Sequence, residues 1–235
     1  MLELQQERFG NDSSAKEELS APNEPHLACV LLLDTSGSMA GAPITSLNNA
    51  VNQFKEQVCK DPTSRKRIDI AIIEFNTDVK VVQEFTPISK MEFVDLTANG
   101  GTSMGKGINA AIDKVIERNQ LYAKMGTPCY KPWIFMITDG APTDDISSAR
   151  ARIAERESIG EVGKLKFWAV GVPGYDEDTL KSLSKRVIAL KGADFTNIFD
   201  WLSKSMAIIS VSQVTDNPQL GKLPEDARII PPDLC

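Results

Sequence analysis

The chain alternates between short runs of consecutive apolar residues and longer stretches in which apolar residues recur every three or four positions. The main apolar runs are 27–33, 67–75, 133–138 and 165–172. Strands that are buried on both faces of a sheet read as continuous apolar runs, so these segments are predicted to be interior strands. Residues 79–85 follow the turn at 76–78 and are predicted to pair back as an antiparallel hairpin.

The stretches between the apolar runs have helical periodicity. Leu47, Val51, Phe54 and Val58 stand at i, i+4, i+7 and i+11, which places them on one face of a helix. Similar patterns predict helices after Asn99-Gly100-Gly101, at about 144–159, at about 176–186 and at about 196–209, and Asp144-Asp145 are predicted to cap the second of these. A short strand is predicted at 187–190.

Buried strands that alternate with amphipathic helices predict an α/β fold. We expect a doubly wound, mostly parallel central sheet with one antiparallel edge strand and helices on both faces, a Rossmann-like arrangement. The 235 residues suit a single domain. Composition divides the chain into a polar, flexible N-terminal arm (1–24), a globular domain (25–213) and a Pro-rich C-terminal tail (214–235).

Charge and composition exclude several functional classes. The formal net charge is −6 and the basic residues are dispersed, which argues against nucleic-acid binding. The basic run Ser64–Arg67 is interpreted as the start of a strand. The first residues do not resemble a secretory signal, and no apolar run approaches the ~20 residues of a membrane span. Together with four dispersed cysteines, this predicts a cytoplasmic protein.

The single histidine, His26, is expected at the surface. One histidine leaves little scope for Ser-His or Cys-His catalysis, so we do not expect an enzyme.

Three polar segments carry the candidate chemistry: Asp34-Thr35-Ser36-Gly37-Ser38, Gly100-Gly101-Thr102-Ser103 and Thr138-Asp139-Gly140. The first and third stand at the carboxyl ends of predicted strands, where doubly wound sheets bind their ligands. If those two strands are neighbours, the two aspartates converge and the hydroxyl groups surround them. Carboxylates and hydroxyls without His or Cys suit a hard cation, Mg²⁺ foremost, with Mn²⁺ or Ca²⁺ as other options.

These segments closely resemble the metal-ion-dependent adhesion site (MIDAS) of von Willebrand factor type A (VWA) domains, and the resemblance covers about residues 26–212. The resemblance implies that five residues bind the metal: Asp34, Ser36, Ser38, Thr102 and Asp139. None of the five departs from the family motif. It further implies a protein–protein interaction module in which an open position of the metal takes an Asp or Glu carboxylate from a partner.

Two finer expectations follow. Met39 and Met104 each come after a serine of a metal loop, and with Ser103 they are predicted to form a partner-binding rim. The layout also looks like that of bacterial VWA proteins encoded with tellurium-resistance genes. That similarity implies a stress-response role with kinase-like or phosphatase-like signalling partners.

The main alternative is a P-loop-like nucleotide-binding enzyme that uses the 100–107 loop. Gly100, Gly105 and Lys106 have the spacing of a phosphate-binding loop, but Gly107 stands where Ser or Thr is required. The segment before it, 93–98, is also a poor buried strand. A structural scaffold with a degenerate metal site is a second alternative.

Overall fold

A seven-stranded sheet forms the centre of the computed structural model, which describes residues 19–158 and 164–231. In chain order the strands are β1 (Leu27–Asp34), β2 (Ile68–Phe75), β3 (Val79–Pro87), β4 (Trp133–Thr138), β5 (Lys166–Gly171), β6 (Val187–Leu190) and β7 (Ala227–Ile230). Their spatial order is β3-β2-β1-β4-β5-β6-β7. The five inner strands are parallel, and β3 and β7 are antiparallel edge strands. The predicted fold class is confirmed.

Six helices are described on the two faces of the sheet. They are α1 (Ala42–Cys59), α2 (Pro62–Arg67), α3 (Met104–Met125), α4 (Ser147–Ser158), α5 (Glu177–Leu183) and α6 (Thr196–Ser210). Side chains of β1 alternate between the faces, as the pleat of a strand requires. Leu31 and Leu33 pack with α1 and α6, whereas Val30 and Leu32 pack with α3, α4 and α5. None of the described helices is both long and apolar enough to cross a membrane.

The basic run Ser64–Arg67 lies in α2 and does not start a strand, contrary to the sequence-based interpretation. The cause is local capping: the Asp61 side chain accepts a hydrogen bond from the Ser64 N–H at 2.6 Å, and Pro62 occupies the first turn. The three basic side chains fall in the last turn, where they interact favourably with the helix dipole.

Strand β7 lies among the residues for which composition predicts a tail. It pairs with β6 in antiparallel register, Val187 opposite Ile230, and Leu220 and Leu223 pack against the core nearby. A four-residue strand is too short to show a clear alternation of apolar and polar residues. Its position depends instead on pairing with the otherwise unpaired side of β6. Residues 1–18 of the predicted arm lie outside the described residues. Leu19, the first described residue, is buried.

His26 is fully buried, which corrects its expected surface position. Its Nδ1 lies 2.9 Å from Asp69 Oδ2, near the amino ends of the parallel strands. The same carboxylate oxygen accepts a hydrogen bond from the Tyr122 hydroxyl at 2.5 Å and lies 3.0 Å from Arg118 Nη2. A histidine flanked by a buried carboxylate has a polar partner inside the core, and hydropathy along the chain does not reveal that partner.

Candidate metal centre

Asp34 and Asp139 meet where the order of the sheet reverses. Strand β1 pairs with β2 on one side and with β4 on the other, so successive crossovers leave it in opposite directions. Asp34 is the last residue of β1, and Asp139 directly follows β4. These two strands are neighbours, so the condition for the two aspartates to converge is met, and the carboxyl ends of the strands form the crevice in which such sheets bind ligands.

The Asp34 carboxylate is completely buried, and the described residues that donate hydrogen bonds to it are all neutral. Its Oδ1 accepts from the Ser36 N–H at 2.8 Å, and its Oδ2 accepts from the Thr138 hydroxyl at 2.5 Å. Burial raises the pKa of Asp34 above its ordinary value and the nearby charge of Asp139 adds to this, while the hydrogen bonds partly offset both effects. Among the described residues, no cationic side chain forms an ion pair with either aspartate.

Hydroxyl groups connect the two aspartates. Ser36 Oγ lies 3.1 Å from Ser38 Oγ, and the Ser38 hydroxyl donates to Asp139 Oδ1 at 2.6 Å. The Thr102 hydroxyl lies at the same place. A Cβ added to Gly140, the residue after Asp139, would be 3.7 Å from Thr102 Oγ1 and 4.0 Å from Ser38 Oγ, so both hydroxyls lie beside this residue. All five residues that the sequence singles out therefore come together at the carboxyl end of the parallel strands.

The donor set fits a hard divalent cation. It offers two carboxylates and three hydroxyls, and Ser38 is exposed to solvent. The part of the chain that the structure describes contains no group of three or more His, Cys, Asp or Glu that could bind a metal. A cation at this end of the sheet would therefore depend on the hydroxyl oxygens, which is the chemistry of Mg²⁺, Mn²⁺ or Ca²⁺ sites and not of a thiolate or imidazole site.

The loop that carries Thr102 is held against its neighbours by backbone contacts. Gly37 N–H donates to the Gly100 carbonyl at 3.0 Å, and Gly101 N–H donates to Thr77 Oγ1 at 2.9 Å. Gly100 has φ +70°, a conformation that a side chain would strain, and a Cβ there would also collide with Thr77 Oγ1. The contribution of Thr77 could not be predicted from pattern, because this residue lies in the turn after β2.

The predicted partner-binding rim does not form. Met39 and Met104 are both fully buried, on opposite faces of the sheet, and Ser103 is nearly so. The Ser103 hydroxyl donates inward to the Thr77 carbonyl at 2.8 Å. Each methionine follows a loop serine, but the chain turns at that point, so the methionine side chain enters the core. Within the two motif segments, 34–38 and 100–103, the exposed residues are instead Gly37, Ser38 and Gly100.

The geometry does not favour the nucleotide-binding alternative. A P-loop binds phosphate with the free N–H groups at the start of its helix. Here the N–H groups of Gly105 and Lys106, in the first turn of α3, donate to the two oxygens of Asp144 at 3.0 and 2.9 Å. The segment before this loop, from Met91 to Ser103, also contains no strand. A carboxylate of the chain itself thus occupies the position that a phosphate needs.

The sequence profile of the von Willebrand factor type A domain matches residues 29–201. The chain belongs to this family. VWA domains are commonly metal-dependent interaction modules, and most of the family members to which this one can be compared are not enzymes. No match to a curated protein reaches significance.

Solved structures of other VWA proteins share the fold. The von Willebrand factor type A protein of Catenulispora acidiphila has 16% identity and a TM-score of 0.60, over 78% of this chain and 43% of its own. The ArnB paralog VWA2 of Sulfolobus acidocaldarius has 18% identity and a TM-score of 0.51, over 78% and 46%. Proximal thread matrix protein 1 of the mussel byssus, with a zinc-occupied MIDAS motif, has 16% identity and a TM-score of 0.54, over 78% and 48%. The aligned region covers less than half of each of these longer chains, and at such identities the likeness is one of fold.

Proposed function

We propose that this VWA domain is a metal-dependent protein–protein interaction module. Its five ligand residues, Asp34, Ser36, Ser38, Thr102 and Asp139, would bind one divalent cation, and the cation would bind an Asp or Glu carboxylate of a partner protein. One observation carries the proposal: Asp34 is completely buried beside a second aspartate, with only neutral donors from the described residues around it.

An unpaired buried carboxylate is costly, and a second negative charge nearby increases the cost. A divalent cation at this end of the sheet removes both penalties. The two aspartates formally balance the charge of a divalent cation, but five side chains do not fill the six oxygen positions of Mg²⁺, so an external carboxylate could bind at a position that they leave open. Mg²⁺ usually keeps some of its six oxygen ligands as water, and such a water is what a partner carboxylate would displace.

We further propose Mg²⁺ as the natural ion, with Mn²⁺ and Ca²⁺ as competent substitutes, since every donor is a hard oxygen. Zn²⁺ is a further ion to compare with these in the thermal test below, because a solved structure with this fold has zinc in its MIDAS motif. The biological setting that we propose rests on composition and on the resemblance to bacterial VWA proteins: a cytoplasmic protein in a stress or tellurium-resistance-like system, with kinase-like or phosphatase-like protein partners and no nucleic acid.

Thermal unfolding with chelator, with Mg²⁺, and with Mg²⁺ plus ATP tests the metal site. A ligand at ten times its dissociation constant stabilises a folded protein by about 1.4 kcal/mol. For a domain of this size that corresponds to a rise of about 3–6 °C in the midpoint. We expect this rise with Mg²⁺ alone and no further rise with ATP. We expect Asp34→Asn to abolish it and Asp178→Asn, an exposed aspartate on α5, to retain it.

A midpoint that rises only when ATP is added would contradict the proposal and revive the nucleotide-binding alternative.

A second experiment, with Mn²⁺, tests the open coordination position. Protein-bound Mn²⁺ enhances the relaxation of water protons as long as a water remains on the ion. We expect acetate, as a minimal carboxylate, to reduce that enhancement in the native protein. An enhancement that acetate leaves unchanged would mean that the ion has no position for a partner.

A further inference from the structure

Thr102 is the one proposed ligand that lies more than four residues from the end of a strand. Asp34 and Asp139 are fixed by β1 and β4, and the two serines follow Asp34 within four residues. Thr102 instead lies in the loop between the 3₁₀ turn at Ile88–Lys90 and α3, which begins two residues later at Met104. Its hydroxyl can serve a metal only if other segments fix its backbone.

Thr143 contacts the Thr102 backbone from both directions. The Thr143 N–H donates to the Thr102 carbonyl at 2.9 Å, and the Thr102 N–H donates to Thr143 Oγ1 at 3.0 Å. This closed pair of hydrogen bonds fixes the plane of the Thr102 backbone. The space beside it is also filled, since a Cβ on Gly101 would lie 3.2 Å from Thr143 Oγ1.

Asp144 fixes the other end of the same loop. Its two carboxylate oxygens accept the N–H groups of Gly105 and Lys106, so it caps α3, a helix to which it does not belong. Its neighbour Asp145 caps α4, accepting the Ser147 N–H at 2.9 Å. The sequence pattern predicts that both aspartates cap the helix after them, which holds for Asp145 and is wrong for Asp144.

We propose that Thr143 and Asp144 are positioning residues of the metal centre, which hold Thr102 at its distance from Asp139. The loop 139–144 then carries the ligand Asp139 and also sets the position of the ligand Thr102. The distance between these two ligands therefore depends on a loop of five peptide units and not on the whole fold. Neither residue is one of the five proposed ligands. The inference rests on the proposed metal site, and it assigns a role to side chains outside the five-residue motif.

Hydrogen-bond partners of metal ligands generally change metal affinity by 10–100-fold when they are altered, and we expect a loss in that range here. Thr143→Val keeps the shape of the side chain but removes the oxygen that accepts the Thr102 N–H. Thr143→Ser restores that oxygen. Asp144→Asn leaves only one of the two acceptor oxygens. The matched control is Asp61→Asn, which alters an equivalent cap on α2 at the amino end of the sheet.

Mn²⁺ affinity is measured by titration for the native protein and the four variants, together with Asp34→Asn. The thermal midpoint in chelator, with circular dichroism, reports whether each variant folds. We expect a dissociation constant at least tenfold higher for Thr143→Val and Asp144→Asn. For Thr143→Ser and Asp61→Asn we expect values within about threefold of native, because serine keeps an oxygen that can accept the Thr102 N–H and Asp61 lies at the opposite end of the sheet.

Each result bears on a different claim. If the native protein does not bind Mn²⁺, the proposed function is wrong and this inference falls with it. If the native protein binds Mn²⁺ and Asp34→Asn does not, but Thr143→Val and Asp144→Asn retain native affinity, only the positioning role is overturned. If Thr143→Val fails to fold, Asp144→Asn decides by the same criterion.

Discussion

The two ends of the parallel sheet each contain a fully buried aspartate, and their surroundings are opposite. At the amino end, Asp69 lies beside Arg118, Tyr122 and His26, so a cation and a hydroxyl of the chain itself compensate its charge. At the carboxyl end, the described residues that donate to Asp34 are the neutral groups of Ser36 and Thr138, and Asp139 is close by. Both carboxylates are 0% exposed, so burial does not distinguish them.

The difference separates a carboxylate that is paired within the fold from one that a bound cation would stabilise. A buried charge that is paired inside the protein contributes to specifying the core. A buried charge without a counter-ion raises the energy of the free protein and lowers the cost of binding a cation. The amino end therefore has the character of a structural site, and the carboxyl end that of a binding site. Substitutions at the amino end should therefore change stability with or without metal, and substitutions at the carboxyl end should change the response to metal.

The largest effect is expected from Asp69→Ala. The substitution removes the carboxylate that pairs with Arg118, whose side chain is 3% exposed, and breaking a buried ion pair typically costs about 3–5 kcal/mol. Urea unfolding should show this loss equally in chelator and in Mg²⁺. Asp113→Ala, which breaks the more exposed pair with Arg152, should cost at most about 1 kcal/mol. A loss for Asp69→Ala that disappears in Mg²⁺ would contradict the division between the two ends.

Tyr122→Phe should have an intermediate effect. It removes the hydroxyl that donates to Asp69, and hydrogen bonds to charged groups are worth about 1.5–3 kcal/mol. The comparison is Tyr130→Phe, since the Tyr130 hydroxyl donates to the neutral carbonyls of Ser210 and Ser212, where about 0.5–1.5 kcal/mol is expected. Equal losses in urea unfolding would mean that the charge of Asp69 adds nothing to the strength of its hydrogen bond.

The smallest effect on unfolding, but the most diagnostic one, is expected from Asp34→Asn. Because burial raises the pKa of Asp34, the folded state holds this proton more tightly than the unfolded state does. In chelator, its contribution to stability is therefore lost as the pH rises through the folded pKa and is regained as the pH falls. At pH 7 the variant should match the native protein or exceed it by about 1 kcal/mol, since weakened hydrogen bonds offset part of the gain.

Saturating Mg²⁺ should reverse this pH trend. A proton and a cation compete for the same carboxylate, so the stabilisation by Mg²⁺ should shrink as the pH falls toward the folded pKa of Asp34. Thermal midpoints of the native protein and Asp34→Asn, with chelator and with Mg²⁺, measure both trends between about pH 4.5 and 7.5. A Mg²⁺ effect that is independent of pH would place the ion away from Asp34.

Much of the fold could be predicted because its signals are local. The unbroken apolar run at 27–33 marks an inner strand, and Leu47, Val51, Phe54 and Val58 mark one face of α1; all of these residues are buried as expected. The positions of Asp34 and Asp139 at strand ends also follow from the linear pattern. Strand β7 could not be predicted in the same way, because four residues acquire a partner only at the edge of β6.

The surroundings of the site could not be predicted from pattern. Met39 and Met104 stand beside loop serines in the sequence, yet both enter the core. His26 looked like a surface residue because the carboxylate that accompanies it lies 43 positions further along the chain. Asp144 lies just before α4 and could cap it. Its carboxylate instead caps α3, which begins about 40 positions earlier in the chain.

The sequence by itself determined the layered α/β fold and the five oxygen-bearing residues at the strand ends and the helix entrance, since periodicity and turn chemistry act between near neighbours. Only the tertiary structure decided that Asp69 has a cation of the chain beside it and Asp34 does not. It also decided that Thr143 and Asp144 fix the loop of Thr102. The energy of a buried charge or a helix cap depends on whichever group lies within hydrogen-bond distance, and here that group comes from 38 to 53 residues away.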